Sequence, residues 1–183
     1  NGKTKIVNLL LAAGANVNAV GDDGWTALYK AIWNRHTGVV KLLLDAGADV
    51  NAEDMDKRTP LRRAVEVGNI GVVKLLVAAG ANVNAADTEG STPLHEAAKW
   101  WNTKVAKLLL DAGANVNAVD NDGYAPLHRA ARYGHTGVVK LLMDAGADLV
   151  IQNNRRRTAL DVARERGHTE VVNAITEEEM VRM

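Results

Sequence analysis

The sequence contains no cysteine and no phenylalanine, and it holds only four tryptophans and three tyrosines among 183 residues. The lack of cysteine excludes disulfides and leaves the redox compartment open. No run of 18 apolar residues and no signal peptide is present, which indicates neither a membrane span nor export. The 22 basic residues are balanced by 22 acidic ones, without the basic excess typical of nucleic-acid-binding proteins. We therefore expect a soluble protein, cytoplasmic or otherwise intracellular, that binds neither nucleic acid nor membranes.

What the chain does contain is a motif that returns at a fixed period of 33 residues. Its fullest form is Gly-Ser-Thr-Pro-Leu-His-Glu-Ala-Ala at residues 90–98. The motif threonine, or the residue in its place, falls at positions 26, 59, 92, 125 and 158. A second mark, Val-Asn-Ala, keeps the same spacing at residues 17–19, 50–52, 83–85 and 116–118.

At these residues the sequence resembles ankyrin-repeat proteins, whose pattern is nearly complete over residues 120–148. The resemblance implies an all-α ankyrin-repeat solenoid, built from helix-turn-helix repeats of 33 residues with hairpin-like loops. We expect a single domain over residues 1–183. Within it we predict a partial repeat at 1–20, full repeats at 21–53, 54–86, 87–119 and 120–152, and a C-terminal capping repeat at 153–183. The even period and near-identical second helices also resemble consensus-based or engineered ankyrin binders, and a fragment of a natural protein is the alternative.

Each repeat predicts two short helices. Threonine suits the N-cap of the first helix and proline its first position. A leucine and an alanine in every first helix are predicted to be buried: Leu28, Leu61, Leu94, Leu127 and Leu160, with Ala31, Ala64, Ala97, Ala130 and Ala163. Glycines 68, 134 and 167 should end first helices, and glycines 47, 80, 113 and 146 second helices. Arg35 and Trp101 replace the glycine of the inter-helix turn, where we expect strain, and Ala125 lacks the threonine cap, at a cost of roughly 1 kcal/mol.

The two ends differ from the middle. Residues 2–8 correspond in register to residues 35–41, so the chain opens at the turn before a second helix. We expect its apolar stripe, Ile6, Leu9, Leu10 and Ala13, to form an open edge that permits self-association. The last repeat departs from the motif and ends in Glu177-Glu178-Glu179, which is typical of a polar terminal cap.

No pattern in the sequence supports catalysis. Gly2-Lys3-Thr4 resembles the end of a phosphate-binding loop but lacks the upstream glycine and strand that such a loop needs. His95-Glu96 begins a zinc-protease pattern that fails because Lys99 stands where the second histidine is required. The resemblance implies that His95 and His128 tie neighbouring repeats together by hydrogen bonds, and the register places His36, His135 and His168 in turns. We therefore predict no enzyme, no catalytic, metal or cofactor-binding residue, and no small-molecule substrate.

The seven aromatic residues all fall in a hairpin, a first helix or the turn that follows, and none lies in a second helix. The resemblance implies that hairpin tips and first helices line a concave surface. Tyr29 replaces the motif histidine and is expected to be structural, and simple core padding is the alternative for the rest. Tryptophan, tyrosine and arginine are enriched at binding hot spots. We therefore predict partner-binding residues among the aromatics and their charged neighbours: Trp25, Trp33, Arg63, Glu66, Lys99, Trp100, Trp101, Tyr124, Arg129, Arg132 and Tyr133.

These patterns together favour a non-catalytic module that binds a folded protein partner on its concave face. The alternatives are the ankyrin part of a larger natural regulatory or effector protein, and a structural protein that self-associates through its open N-terminal edge. The basic run Arg155-Arg156-Arg157 is interpreted either as a solvated loop or as a contact for an anionic patch on the partner.

Overall fold

The computed structural model describes residues 2–183, and within that range the chain forms eleven α-helices. The first helices of the repeats are α2 (Ala27–Trp33), α4 (Pro60–Glu66), α6 (Pro93–Lys99), α8 (Pro126–Tyr133) and α10 (Ala159–Arg166). The second helices are α1 (Gly2–Ala12), α3 (Thr37–Asp45), α5 (Ile70–Ala78), α7 (Thr103–Asp111), α9 (Thr136–Asp144) and α11 (Thr169–Arg182). The predicted all-α class is confirmed.

The chain divides into two compact units, one up to Thr88 and one from Glu89 to Met183. The first unit holds α1–α5 and the second α6–α11. Inside each unit the first helices pack on one another and on the second helix of their own repeat, while second helices pack on second helices. This arrangement gives each unit two helical layers with a core between them. The division of residues 1–183 into one domain with the repeat bounds given above stays a prediction.

Loops that precede first helices close as hairpins through short-range backbone hydrogen bonds. Asp54 N–H donates to the Arg58 carbonyl at 3.1 Å, and Asp120 N–H to the Tyr124 carbonyl at 3.0 Å. The following threonine caps the helix: Thr59 Oγ1 accepts from the Arg62 N–H at 3.3 Å. Ala125 has the same extended backbone, with φ −84° and ψ 165°, but no side-chain oxygen to accept that bond. The predicted loss of the cap at Ala125 is therefore confirmed.

The turns between the helices of a repeat need left-handed backbone. Gly134 and Gly167 each have φ 73°, which glycine adopts without penalty. Arg35 and Trp101 stand in the same place with φ 59° and 57°. A side chain with a Cβ costs roughly 1–2 kcal/mol in this conformation. The structure thus shows the strained backbone that we predicted at both positions.

The predicted leucines and alanines of the first helices are all buried, and the second helices add valine and leucine side chains to the same core. The predicted apolar stripe of α1 is largely solvent-exposed, with Ile6, Leu9 and Leu10 all more than half exposed. At the other end, α11 extends over 14 residues. Arg182 closes that end by donating from its guanidinium to the Met143 and Ala147 carbonyls. Each helix among residues 2–183 is too short or too polar to span a lipid bilayer.

Candidate functional site

The aromatic residues of the first unit gather around one arginine. We call Trp25, Tyr29, Trp33, Arg63 and Glu66 the Trp33 cluster. The guanidinium carbon of Arg63 lies 4.3 Å from the centre of the Trp33 ring and 5.1 Å from that of Tyr29. The Trp25 ring centre lies 4.9 Å from that of Tyr29 and 6.0 Å from that of Trp33. Tyr29 and Trp33 lie on α2, Arg63 and Glu66 lie on α4, which packs against α2, and Trp25 lies in the loop before α2.

Hydrogen bonds hold the buried cation of this cluster in place. Arg63 is only 5% exposed. Its Nε and Nη2 donate to the Tyr29 hydroxyl at 3.0 and 2.8 Å, and its Nη1 donates to Glu66 Oε2 at 2.7 Å. Burial raises the pKa of the Tyr29 hydroxyl, which therefore keeps its proton and donates it to Asp54 Oδ2 at 3.0 Å. One face of the Trp33 indole thus lies on a fixed cation, an attractive cation–π geometry.

Trp100, in the second unit, is anchored by its own helix. Its Nε1 donates to Glu96 Oε2 at 2.9 Å, one turn earlier in the chain. The Lys99 ammonium lies 5.0 Å from the centre of the indole. Glu96 itself is buried, so the carboxylate that receives this bond has little freedom to move. Sequence reasoning did not identify Glu96 as part of the site.

A stack of three rings occupies the turns of the second unit. His135 lies between Trp101, with ring centres 6.1 Å apart and planes at 11°, and Tyr133, with ring centres 6.0 Å apart and planes at 16°. His135 Nε2 donates to the Lys99 carbonyl at 2.9 Å, which fixes the central ring. The sequence placed His135 only in a turn, and nothing in its position indicated that two aromatic side chains would meet on it.

Tyr124 and Arg129 are held closer to the body of the second unit. The Arg129 guanidinium lies 5.0 Å from the centre of the Tyr124 ring and forms an ion pair with the buried Asp120 carboxylate. The Tyr124 ring also packs edge-on against His128, with ring centres 5.6 Å apart. Both residues are half-buried, so they present less surface than the tryptophans do.

The motif histidines bridge repeats, as the resemblance implied. His95 Nδ1 accepts from the Thr92 N–H at 3.1 Å, so its Nε2 carries the proton and donates to the Tyr124 carbonyl at 2.8 Å. His128 makes the same pair of bonds, to the Ala125 N–H and the Arg157 carbonyl. Burial lowers the pKa of both imidazoles, which favours this neutral form. Among residues 2–183 no group of three or more histidine, aspartate or glutamate side chains is placed to hold a metal ion.

Comparison with family models gives matches along most of the chain. A model described as ankyrin repeats (3 copies) matches residues 1–54 and 51–120, and one described as ankyrin repeats (many copies) matches residues 109–163. The chain belongs to the ankyrin-repeat family. A comparison with curated protein sequences gave no significant match. Ankyrin repeats are general protein–protein interaction modules without enzymatic activity, and that coarse function is what membership supports.

In this ankyrin-repeat chain the predicted site residues do not share one kind of environment. Trp33, Trp100, Trp101 and Tyr133 are exposed by 47%, 54%, 69% and 41%. Trp25, Glu66, Lys99, Tyr124, Arg129 and Arg132 are partly buried, and Arg63 is buried. Arg63 therefore offers little surface of its own and acts by supporting Trp33. Side chains on adjacent first helices meet in each unit, and the repeat register alone does not show how deeply each one is buried.

Proposed function

We propose that this ankyrin-repeat chain is a non-catalytic module that binds a folded protein partner through its hairpins, first helices and inter-helix turns. In the ankyrin family the hairpin tips and the first helices line the concave face. The observation that carries the proposal is the exposure of Trp33, Trp100, Trp101 and Tyr133, which are large apolar side chains outside the buried leucine and alanine positions. Exposed aromatic side chains that are not needed by the core are typical of interaction surfaces.

The affinity available from these rings is substantial. An aromatic side chain buries about 150–250 Å² when it is fully covered. Covering the exposed half of one tryptophan, at roughly 25 cal/mol per Å², contributes about 2–3 kcal/mol. A few such anchors are enough to oppose the cost of association, which is several kcal/mol.

Support for the proposal also comes from how the rings are held. Trp33 rests on Arg63, Trp100 donates a hydrogen bond to Glu96, and Trp101 and Tyr133 lie against His135. Side chains that are already ordered lose less entropy when a partner covers them.

Trp101 adds an independent argument. It stands in left-handed backbone where Gly134 and Gly167 stand in other repeats, and it is the most exposed of the four anchor rings. Backbone strain is commonly found at binding sites, where function maintains it against stability. Contact with a partner accounts for a tryptophan at a position where glycine is the unstrained choice.

Quantitative affinity capture from a lysate tests the proposal. The parent chain is compared with a Trp33→Ala, Trp100→Ala, Tyr133→Ala variant and with a control that removes exposed apolar surface elsewhere, Val150→Ala and Val181→Ala. Circular dichroism confirms that all three proteins are folded. A protein captured by the parent and the control, and reduced at least tenfold by the triple variant, supports the proposal. Equal capture by all three proteins overturns it.

Three further variants refine the test, and the first two locate the contact within the chain. Trp33→Ala alone tests the first unit, and Trp100→Ala with Tyr133→Ala tests the second. Trp101→Gly removes an exposed indole and places glycine in backbone that suits it. We expect Trp101→Gly to weaken capture without reducing the helical content, an outcome that separates binding from folding.

A specific observation favours self-association as a second candidate. An apolar groove of about 420 Å³ lies beside α1 and is lined by Ile6, Val7 and Leu10 among others. A second copy of the chain could cover it by placing its own α1 stripe there. Light scattering from micromolar to millimolar concentration tests this, and a Leu10→Lys variant should remain monomeric if the groove is the contact. A parent that stays monomeric throughout this range excludes it.

We also infer a consensus-based or engineered origin from the even period and the near-identical second helices. A genomic reading frame that extends upstream of Asn1 into a regulatory or effector protein would contradict that origin.

A further inference from the structure

A small basic pocket lies in the second unit between α8, the last hairpin and α10. Its volume is about 170 Å³. Four guanidinium groups line it against a single carboxylate, and the lining residues are Tyr124, Arg132, Asn153, Arg155, Arg157, Val162, Glu165 and Arg166. Arg157 Nη1 pairs with Glu165 Oε1 at 2.9 Å, which neutralises that carboxylate. Positive charge therefore remains in excess around the pocket.

The pocket also holds a buried donor without an acceptor. Asn153 is 4% exposed. Its Oδ1 accepts from the Arg155 N–H at 2.9 Å and from the Arg157 N–H at 3.1 Å, so the orientation of the amide group is determined by the loop. Among residues 2–183 its Nδ2 has no hydrogen-bond partner. Buried polar groups are nearly always paired, so this unpaired amide is a donor available to an acceptor in a pocket lined by arginines.

Comparison with the preceding repeat shows what has changed at this position. Asp120 stands 33 residues before Asn153 and accepts the same two loop bonds, from the Asp122 and Tyr124 N–H groups. Its second oxygen forms the ion pair with Arg129. In the last repeat Val162 replaces that arginine and asparagine replaces the aspartate. The ion pair between Asp120 and Arg129 therefore has no counterpart in the last repeat. Val162 is apolar, and the Asn153 amide N–H is an unpaired donor.

We propose that this pocket binds a phosphate monoester dianion, with Asn153 Nδ2 and the guanidinium groups of Arg132, Arg155 and Arg166 as donors. A dianion suits the charge excess, and its several oxygens suit donors that approach from different elements. The phosphate is either free or carried by a phosphorylated residue of a protein. The site is complete within this chain, and it does not depend on the aromatic surface proposed above.

Isothermal titration of the isolated chain at pH 7.5 and low ionic strength tests the site. The ligands are inorganic phosphate, a phosphoserine peptide, its unphosphorylated form, and acetate. The decisive variant is Asn153→Asp, which retains the loop bonds that Asp120 makes one repeat earlier but replaces the donor with a carboxylate oxygen. We expect it to weaken phosphate binding at least tenfold. A matched control is Arg156→Gln, an exposed residue of the same basic run that does not line the pocket, and its affinity should equal that of the parent.

Each outcome bears on the proposal. Phosphate binding that is lost in Asn153→Asp supports it, and a phosphopeptide that binds at least tenfold more tightly than inorganic phosphate identifies the protein-borne source. Comparable affinities for the two identify free phosphate as the ligand. Equal binding by the parent and Asn153→Asp, acetate binding as tight as phosphate, or no saturable binding overturns the proposal. None of these results requires the partner of the aromatic surface.

Discussion

Replacing Tyr29 with phenylalanine removes a single hydroxyl that three polar groups share. That hydroxyl accepts from Nε and Nη2 of Arg63 and donates to Asp54 Oδ2. Arg63 is buried and cannot shed its charge, because a guanidinium is not deprotonated in proteins. In the Tyr29→Phe variant, the Nε and Nη2 donors of Arg63 therefore face the edge of the phenylalanine ring.

The loss of unfolding free energy can be estimated from the contacts that Arg63 and Asp54 keep in the variant. A hydrogen bond to a charged group contributes about 1.5–3 kcal/mol, and breaking a buried ion pair outright costs about 3–5 kcal/mol. Arg63 keeps the Glu66 carboxylate at 2.7 Å and the Trp33 ring, and Asp54 keeps its bonds from the Asp56 and Arg58 N–H groups. We therefore expect Tyr29→Phe to destabilise the first unit by about 2–3 kcal/mol, below the figure for a fully broken pair.

Amide hydrogen exchange measures the stability of individual helices. It therefore suits a repeat protein, whose unfolding need not be two-state. Protection in α2 and α4 should fall roughly 30- to 150-fold, with the amides of α9–α11 as the reference. The control is Tyr29→Phe combined with Arg63→Met. Removing both polar partners should restore most of the protection, because no buried guanidinium is left without acceptors and the partly exposed Glu66 carboxylate can be hydrated. A change below threefold in Tyr29→Phe, or a double variant less protected than the single one, would refute the reasoning.

Two further predictions concern the cap at Ala125 and the motif histidines. Ala125→Thr should raise the unfolding free energy by roughly 1 kcal/mol, because the backbone already has cap geometry, and the melting temperature should rise by about 2–4 °C. Ala125→Val, which lacks the hydroxyl, should not raise it. His95 and His128 have lowered pKa values in the folded chain. As the pH falls below their ordinary value of 6.5, the unfolded chain therefore binds protons first, and stability falls by up to about 1.4 kcal/mol per histidine per pH unit. Urea denaturation between pH 7.5 and 5.5 measures that slope, and a slope unchanged in His95→Gln, His128→Gln would contradict this assignment.

Much of the fold follows from local chemistry and can therefore be predicted from the sequence. Threonine before proline starts a first helix at Thr59 and Thr92, and glycine in left-handed backbone ends one at Gly134. Each of these residues affects the backbone only within a few positions of its own place in the chain. The 33-residue period places the same leucine and alanine positions in every first helix, so these buried residues could be assigned from the sequence.

The candidate sites depend on contacts between repeats, which the sequence does not show. Tyr29 and Arg63 lie 34 residues apart, and only packing of α2 against α4 turns a predicted surface arginine into the buried support of Trp33. The position of His135 between two rings depends in the same way on how successive turns stack. The positions at which the helices begin, end and bury their apolar faces can be predicted from the sequence, because they depend on residues close by in the chain. Which buried polar groups find hydrogen-bond partners, as Arg63 does and the Asn153 amide N–H does not, depends on how the repeats pack, because packing sets the distances between groups of different repeats.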